Sequence, residues 1–196
     1  NMDEYNSHLK NYTKLEDKMS QVIYDNPVWH IHNGSPPEKY SEIQFSLLLN
    51  LVSASNSINK DILWGFIQNY YKNDLQVSNN KIIDDMIGYA INYFNDFVKP
   101  NKKYRLANPK ESSALKELNE CLNNFRYELD PEVIQTEIYR IGKEHNFDPL
   151  RGWFSSIYEI LLGQKDGPRF GSFVVIYGVE NTQNLINNAL NGNLIK

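Results

Sequence analysis

The stretch from Asp130 to Leu162, DPEVIQTEIYRIGKEHNFDPLRGWFSSIYEILL, decides the fold class of this chain. It holds two Asp-Pro dipeptides, at 130–131 and 148–149, and apolar residues at helical spacing follow each of them. An Asp side chain accepts hydrogen bonds from the free N–H groups of a helix start, and Pro fits the first helical position because it has no N–H to leave unpaired. Two consecutive helices are therefore predicted, ending near His145 and Leu162.

The same spacing of apolar residues, every three or four positions, recurs on both sides of this stretch. It predicts a first helix from the start of the chain to Asn26-Pro27, a second from a capping box of Ser41 and Gln44, and a third capped by Asn59. The segment 172–177, SFVVIY, has strand propensity but lacks a partner strand, so it is predicted to be helical. The expected fold is all-α, a helical bundle or cage of about nine helices in two packed subdomains.

One short segment of the chain is strongly basic. The whole protein carries a net charge of −4, yet residues 99–105 hold four cations and no acid. A local patch can bind phosphate in an acidic protein, because charges beyond about 8 Å are largely screened at physiological salt. We therefore divide the chain into an N-terminal helical subdomain (1–98), a basic loop (99–110) and a C-terminal helical subdomain (111–196). The loop residues expected to contact a sugar-phosphate backbone are Lys99, Asn101, Lys102, Lys103 and Arg105. A solvated loop without a ligand is the alternative.

Two further places combine aromatic rings with cationic or imidazole groups. The turn 164–170, QKDGPRF, carries Lys165, Arg169 and Phe170, and Trp29 lies beside two histidines. A ring or guanidinium face can stack on an unpaired base. Packing of the turn against the preceding helix is the alternative for Arg169 and Phe170, and wedging of the first helix against the second is the alternative for Trp29.

Several other classes of site receive no support from the sequence. The single cysteine, Cys121, excludes an internal disulfide framework and a zinc site built on several cysteines. His30 and His32 point to opposite faces of an extended segment, which favours hydrogen bonding over metal binding. No glycine-rich phosphate loop is present. Lys18-Met19-Ser20 matches only the first three letters of an adenylate-binding KMSKS signature, the second lysine is missing, and Met19 continues the first apolar stripe. No apolar run is long enough to span a membrane. A soluble protein of a reducing compartment is expected.

Five segments, taken together and in order, resemble the carboxy-terminal part of class I lysyl-tRNA synthetases. They lie between residue 26 and about residue 190: Asn26–His32 (NPVWHIH), Leu48–Asn56 (LLNLVSASN), Phe97–Arg105 (FVKPNKKYR), Ile134–Tyr139 (IQTEIY) and Leu161–Phe173 (LLGQKDGPRFGSF).

This resemblance implies an all-helical anticodon-binding region that binds tRNA(Lys). It also implies a parent enzyme that joins lysine to tRNA with ATP and magnesium, on a catalytic domain in cis that carries the HIGH and KMSKS motifs. Neither motif is present here, so the chain alone is expected to have no catalytic residues, cofactor or metal and to be inactive. We expect a cytoplasmic protein, monomeric and not bound to membranes.

Two alternatives share this evidence. The helix cage of a glutamyl-tRNA synthetase would have the same fold, although the turn Gly167–Gly171 (GPRFG) favours the lysine type. A helical protein–protein scaffold would need an exposed apolar patch, which the sequence does not reveal. If the chain binds tRNA, the leading candidates to contact anticodon bases are Arg169, Phe170 and Trp29.

Overall fold

A computed structural model describes residues 2–15, 21–71, 81–125 and 129–195, and within those ranges the chain forms helices, turns and loops but no strand. The predicted all-α fold is confirmed, with ten α-helices in the described part of the chain. They are α1 (Met2–Thr13), α2 (Pro27–Ile31), α3 (Phe45–Ser55), α4 (Lys60–Tyr70), α5 (Lys81–Tyr93), α6 (Pro109–Cys121), α7 (Pro131–Glu144), α8 (Arg151–Leu161), α9 (Phe170–Tyr177) and α10 (Val179–Leu190). Shorter helical segments are 3-10 turns at Gln21–Ile23, Lys99–Asn101 and Leu122–Phe125 and a π-helical segment at Phe94–Val98.

The short helix α9 lies at the centre of the molecule and packs on α3, α4, α7 and α10. Seven of its eight residues are buried, as expected for a helix that is apolar on all sides. Gly171 allows the closest of these contacts, because a Cβ at that position would lie 2.3 Å from the carbonyl oxygen of Pro131 at the start of α7. The SFVVIY segment is therefore helical, as predicted, and holds the two halves of the chain together.

The apolar core extends from Ile43 in the N-terminal half to Ala189 in α10. It includes helices from both sides of the basic loop, with α3 and α5 packed together in one half and α6 against α7 in the other. The division into subdomains at 99–110 stays a prediction. None of the helices in the described ranges is long and apolar enough to cross a membrane.

Local capping signals predicted two helix starts correctly. The Asp130 carboxylate accepts hydrogen bonds from the N–H groups of Glu132 and Val133 at the start of α7. The Asn59 side chain accepts one from the N–H of Asp61 in α4. At both places the cap lies within three residues of its partners, so the sequence alone contains the interaction.

The predicted bounds of the first helix are wrong. Helix α1 ends at Thr13, and Asn26-Pro27 begins α2 rather than ending a helix. The Asn26 side chain accepts a hydrogen bond from the N–H of Val28, and Pro27 occupies the first helical position. The segment that carries Trp29 is thus helical and not an extended connector. The KMSKS-like Lys18-Met19-Ser20 lies outside the described residues.

The predicted capping box of the second helix is also wrong. Helix α3 begins at Phe45, and its N-cap Gln44 makes no side-chain capping bond. The carboxylate of Asp3 caps it instead, accepting the N–H of Phe45 at 2.5 Å and that of Ser46 at 3.1 Å. Ser41 bonds its own turn, where its hydroxyl accepts the N–H of Ile43. A cap 42 residues away replaces the local one.

Helix α8 begins at Arg151 with Leu150 as its N-cap, so the prediction that Asp148 caps it is wrong. The intervening residues form a turn in which the carbonyl of Pro149 accepts the N–H of Gly152. Helix α8 ends at Leu161, and Gly163 follows with φ +67°, the left-handed conformation that favours glycine.

Candidate nucleic-acid interface

The basic loop leaves the π-helical segment as a 3-10 turn and then runs without regular secondary structure from 102 to 108. The backbone N–H of Lys103 donates to the carbonyl of Gly163 at 3.0 Å, which fixes the loop against the end of α8. The side chains of Lys99, Asn101 and Lys103 are exposed. The Asn101 amide donates to the carbonyl of Phe97, while no acidic partner of Lys99 or Lys103 occurs among the described residues. These two lysines remain available for phosphate.

Lys102 points into the protein instead. Its ammonium donates to the carbonyl of Ser53 at 2.8 Å and lies about 5 Å from the ring centres of Phe94 and Tyr104. Burial lowers the pKa of this amine to about 8. The expectation that Lys102 contacts a phosphate does not fit this position, because the ammonium is already held between two rings and a carbonyl group.

Arg105 is held by two carboxylates. Its terminal nitrogens lie 2.7 and 2.8 Å from the two oxygens of Glu111, and its Nε lies 2.6 Å from Glu159. The hydroxyl of Ser156 and the N–H of Asn108 also donate to Glu111, which is only 5% exposed. The guanidinium is thus neutralised within the protein. The expectation that Arg105 binds phosphate is therefore replaced by a structural role.

Glu111 is ionised because of these donors. Burial by itself would raise the pKa of its carboxyl, but the hydrogen bonds from Arg105, Ser156 and Asn108 outweigh that effect and hold the pKa at about 2. The same carboxylates raise the pKa of the Arg105 guanidinium. A buried charge is tolerated when it is paired and hydrogen-bonded, and both conditions hold here.

Trp29 lies on α2, half-buried, with its indole ring 4.9 Å from the ring of Tyr24 and 5.0 Å from that of His30, both in edge-on contact. Gly34, at φ +85°, packs against the same indole ring. His30 and His32 have separate partners, the carbonyl of Tyr24 and the hydroxyl of Tyr5. Trp29 therefore packs within its own segment, between the turn before α2 and the turn after it. Its role in base contact, like the alternative that it wedges the first helix against the second, stays a prediction.

The turn after α8 separates three predicted residues. Lys165 is exposed. Arg169 is exposed and pairs with both oxygens of Glu132 on α7, at 2.6 and 2.8 Å. Phe170 is fully buried, with its ring stacked on Phe173. The expectation that Phe170 offers a face to a base does not fit this structure, because no part of its ring reaches the solvent.

A pocket of about 230 Å³ lies between α7, α8 and this turn. One face of α8 lines it with Arg151, Phe154, Ser155 and Tyr158, and α7 contributes Gln135 and Tyr139. Residues 165–169 complete the rim. Each of the four α8 residues lies three or four positions from two of the others, and Phe154 and Ser155 are neighbours, so they share one helix face. We call this cavity the α7–α8 pocket.

The α7–α8 pocket combines cations with aromatic surface. Three cations, Arg151, Lys165 and Arg169, stand against one carboxylate, Asp166, in its lining. The Arg151 side chain is 84% exposed and lies 3.8 Å from Asp166, a distance that makes a weak contact. Such a site can bind an anion together with a flat ring.

The back of the pocket is rigid. The Tyr158 hydroxyl donates to the carbonyl of Pro168, which fixes the turn over α8. A Cβ on Gly167 would lie 2.4 Å from the Tyr158 ring, so only glycine allows this approach. Gln135 is buried, and its side-chain oxygen accepts the N–H of Gly171 at 2.9 Å.

Of the residues that line this pocket, sequence reasoning predicted only Lys165 and Arg169, and it missed Arg151, Phe154, Tyr139 and Gln135 among the others. These residues lie on predicted helices to which the sequence assigned no binding role, yet Tyr139 is 41% exposed and packs edge-on against the ring of Phe154 at 5.0 Å. A signal was present, since a cation and aromatic residues recur on one face of the predicted helix beside the Lys165–Arg169 turn.

A second surface feature was also not predicted. Tyr89, Tyr93 and Phe97 follow one another at intervals of four residues, and all are 45–60% exposed. The rings of Tyr93 and Phe97 are 5.0 Å apart. We call these three residues the aromatic stripe.

Among the described residues, no group of three or more potential metal ligands is present.

Comparison with known proteins shows what this chain is similar to. It is 45% identical over 194 residues to a lysine–tRNA ligase of Roseobacter denitrificans, an alignment that covers 99% of this chain. Lysine–tRNA ligases of Rickettsia bellii and Rickettsia peacockii are 39% and 38% identical over 191 residues, or 97% of this chain. The resemblance to lysyl-tRNA synthetases is therefore confirmed along nearly the whole chain.

The chain spans 36% of the length of these three relatives. No family model matches the chain. No solved structure matches it either.

Proposed function

We propose that this chain is the tRNA-binding region of a lysine–tRNA ligase and that it binds tRNA(Lys). The observation that carries the proposal is the 45% identity to a lysine–tRNA ligase across 99% of the chain. Conservation of this extent along the whole chain requires that the relative contain the same helical unit. All three relatives are lysine–tRNA ligases, which favours the lysine enzyme over the alternative of a glutamyl-tRNA synthetase cage.

The geometry supports a role in binding RNA. Lys99 and Lys103 are exposed on the basic loop, and the α7–α8 pocket brings cations and aromatic rings together. Sugar-phosphate backbones need cations, and unstacked bases need flat surfaces with hydrogen-bond donors. Both kinds of group are present on a rigid helical frame.

The parent enzyme, in this proposal, attaches lysine to tRNA in the cytoplasm with ATP and magnesium on a separate catalytic domain in cis. This chain would act as a monomer that supplies tRNA contacts and no catalytic group. We expect the isolated chain to show no lysine-dependent ATP–pyrophosphate exchange. Exchange above that of a blank preparation would refute this part of the proposal.

The decisive experiment measures binding of the chain to tRNA(Lys), to tRNA(Glu) and to versions with exchanged anticodons. The proposal predicts the tightest binding to tRNA(Lys), and loss of the preference when its anticodon is replaced. Equal binding to all four RNAs would leave only a general affinity for RNA. Preference for the glutamate anticodon would favour the glutamyl-tRNA synthetase alternative.

A second candidate, the helical interaction scaffold, is favoured by the aromatic stripe, since such a surface commonly marks a protein contact. Replacing Tyr93 and Phe97 with Ser tests it. If the stripe is a protein interface, the double variant should lose a partner that co-purifies with the wild-type chain while still binding tRNA. Loss of tRNA binding instead would assign the stripe to RNA.

A further inference from the structure

We infer that the α7–α8 pocket holds one unstacked nucleotide of the RNA, with its base against Tyr139 and Phe154 and its phosphate at Arg151 and Lys165. We further infer that Gln135 selects uracil or guanine, which have a carbonyl oxygen where cytosine and adenine carry an amino group. This inference rests on the proposed function, because it gives a position and a chemical preference to the RNA contact.

The size of the pocket fits a single base. At about 230 Å³ it is smaller than the roughly 300–1,000 Å³ typical of sites for whole small molecules. Tyr139 and Phe154 meet edge-on at 5.0 Å, and Tyr139 is 41% exposed. An exposed ring beside a cavity of this size provides the stacking surface that an unpaired base requires.

The charges around the pocket differ in their availability. Arg169 is already paired with both oxygens of Glu132, so its guanidinium is not free to contact a phosphate directly. Among the described residues, the one acidic group near Arg151 is Asp166, at 3.8 Å. Lys165 is exposed on the opposite rim. Arg151 and Lys165 are therefore the groups that can turn to a phosphate at little cost.

Gln135 provides the chemical preference. Its side-chain oxygen accepts the backbone N–H of Gly171, which fixes the orientation of the amide because an N–H can be satisfied only by an acceptor. The amide NH₂ group is then the part left to a ligand in the pocket. An NH₂ donor matches the O4 of uracil or the O6 of guanine and repels the amino groups of cytosine and adenine.

An acidic peptide is the other ligand class that cations and aromatic rings can bind. It would use Arg151 and Lys165, and a backbone carbonyl could accept from the Gln135 amide, but the ring pair would have no flat partner to stack on. The combination of a fixed donor, two rings and two available cations favours the nucleotide.

The first experiment is photocrosslinking. A tRNA(Lys) transcript carrying 4-thiouridine at its unpaired anticodon positions is bound to the chain, irradiated and digested, and the crosslinked peptide is identified by mass spectrometry. We expect crosslinks in the peptides that contain Tyr139 or Phe154. Crosslinks confined to the basic loop or the aromatic stripe would overturn the inference and leave tRNA binding intact.

The second experiment uses variants matched for exposure. Arg151→Ala and Phe154→Leu should each weaken tRNA(Lys) binding about tenfold, in line with the effect of losing one stacking or phosphate contact. Lys116→Ala, an exposed lysine of α6 outside the pocket, should bind as wild type. Because the Arg151 side chain is 84% exposed, its loss cannot be attributed to unfolding. Normal binding by both pocket variants would overturn the inference.

The third experiment tests the preference. Gln135→Glu keeps an acceptor for Gly171 but presents an acceptor, not a donor, to the pocket. We expect the wild-type chain to bind uridine trinucleotide more tightly than cytidine trinucleotide and the variant to lose that difference. An unchanged ratio would remove Gln135 from the site.

The three experiments also separate the inference from the proposed function. If the wild-type chain binds no tRNA at all, the proposed function fails as well. If it binds tRNA but shows none of these effects, only the inference fails.

Discussion

Arg105 contacts both carboxylate oxygens of Glu111, at 2.7 and 2.8 Å, and thereby joins the basic loop to the first turn of α6. The same guanidinium reaches Glu159 on α8, so one cation connects three segments of the chain. Glu111 also completes the capping box of α6 with Asn108. The loop is consequently rigid at its C-terminal end, while Lys99 and Lys103 remain exposed nearer its start.

Replacing Arg105 with Met should destabilise the protein. The variant leaves the carboxylate of Glu111 buried without its cation, and we expect the free energy of unfolding to fall by about 2–3 kcal/mol, below the range for a fully buried pair because Arg105 is partly exposed. Urea unfolding followed by circular dichroism measures this change. The control, Lys103→Met, should stay within about 0.5 kcal/mol of wild type. A loss of the same size in both variants would show that the ion pair is not responsible.

The Glu111 carboxylate should also make stability depend on pH. Its pKa in the folded protein is about 2, below the ordinary value of 4.5. The stabilisation is therefore present above pH about 4.5 and is lost as the pH falls towards 2. The difference in unfolding free energy between wild type and Glu111→Gln should shrink over that window. A difference that is constant with pH would contradict the assignment.

The Lys102 amine should make stability depend on pH in an alkaline range. Burial lowers its pKa to about 8 from an ordinary value of 10.5, so the unfolded chain binds more protons between these values. Stability should therefore rise with pH above about 8, relative to a Lys102→Met variant that lacks the group. Unfolding curves of the two proteins between pH about 7 and 9.5 give the comparison. Parallel curves would mean that the amine is solvated in the folded state.

The loop lysines should differ in their effect on RNA binding. Lys99→Ala and Lys103→Ala should each weaken binding to all tRNAs alike and reduce the slope of log K against log salt by about one. Lys102→Met should leave that slope unchanged, because its ammonium faces Ser53 and two rings. A reduced slope for Lys102→Met would show that this side chain turns outward when RNA binds.

Removing the cap of α3 should cost stability without affecting RNA contacts. Asp3→Ala leaves the N–H groups of Phe45 and Ser46 without their acceptor, and a lost N-cap typically costs about 1 kcal/mol. Thermal unfolding of this variant measures the loss. Glu38→Ala, at an exposed position between α2 and α3, is the matched control and should unfold as wild type. An unchanged melting temperature in Asp3→Ala would indicate that water replaces the carboxylate.

Local sequence determined the helical class and several helix starts. Asp130 and Asn59 cap helices whose N–H groups lie two or three residues away. The apolar spacing after Asp130-Pro131 correctly predicted the helix that buries Ile134 and Ile138. Interactions of this kind depend only on nearby residues, because a helix repeats every 3.6 positions. The position of the basic loop was visible for the same reason, as a run of like charges.

Tertiary structure decided which of these residues are free to bind a ligand. Arg105 looked available until folding brought Glu159, 54 residues away, to its guanidinium. Phe170 looked like an exposed ring beside a turn, but α9 lies at the centre of the core and buries it completely. Conversely, Arg151 looked like an ordinary helix start and became part of a pocket. Whether such a side chain is paired or buried depends on residues distant in the sequence, and the local spacing of residues does not indicate which distant residue will contact it.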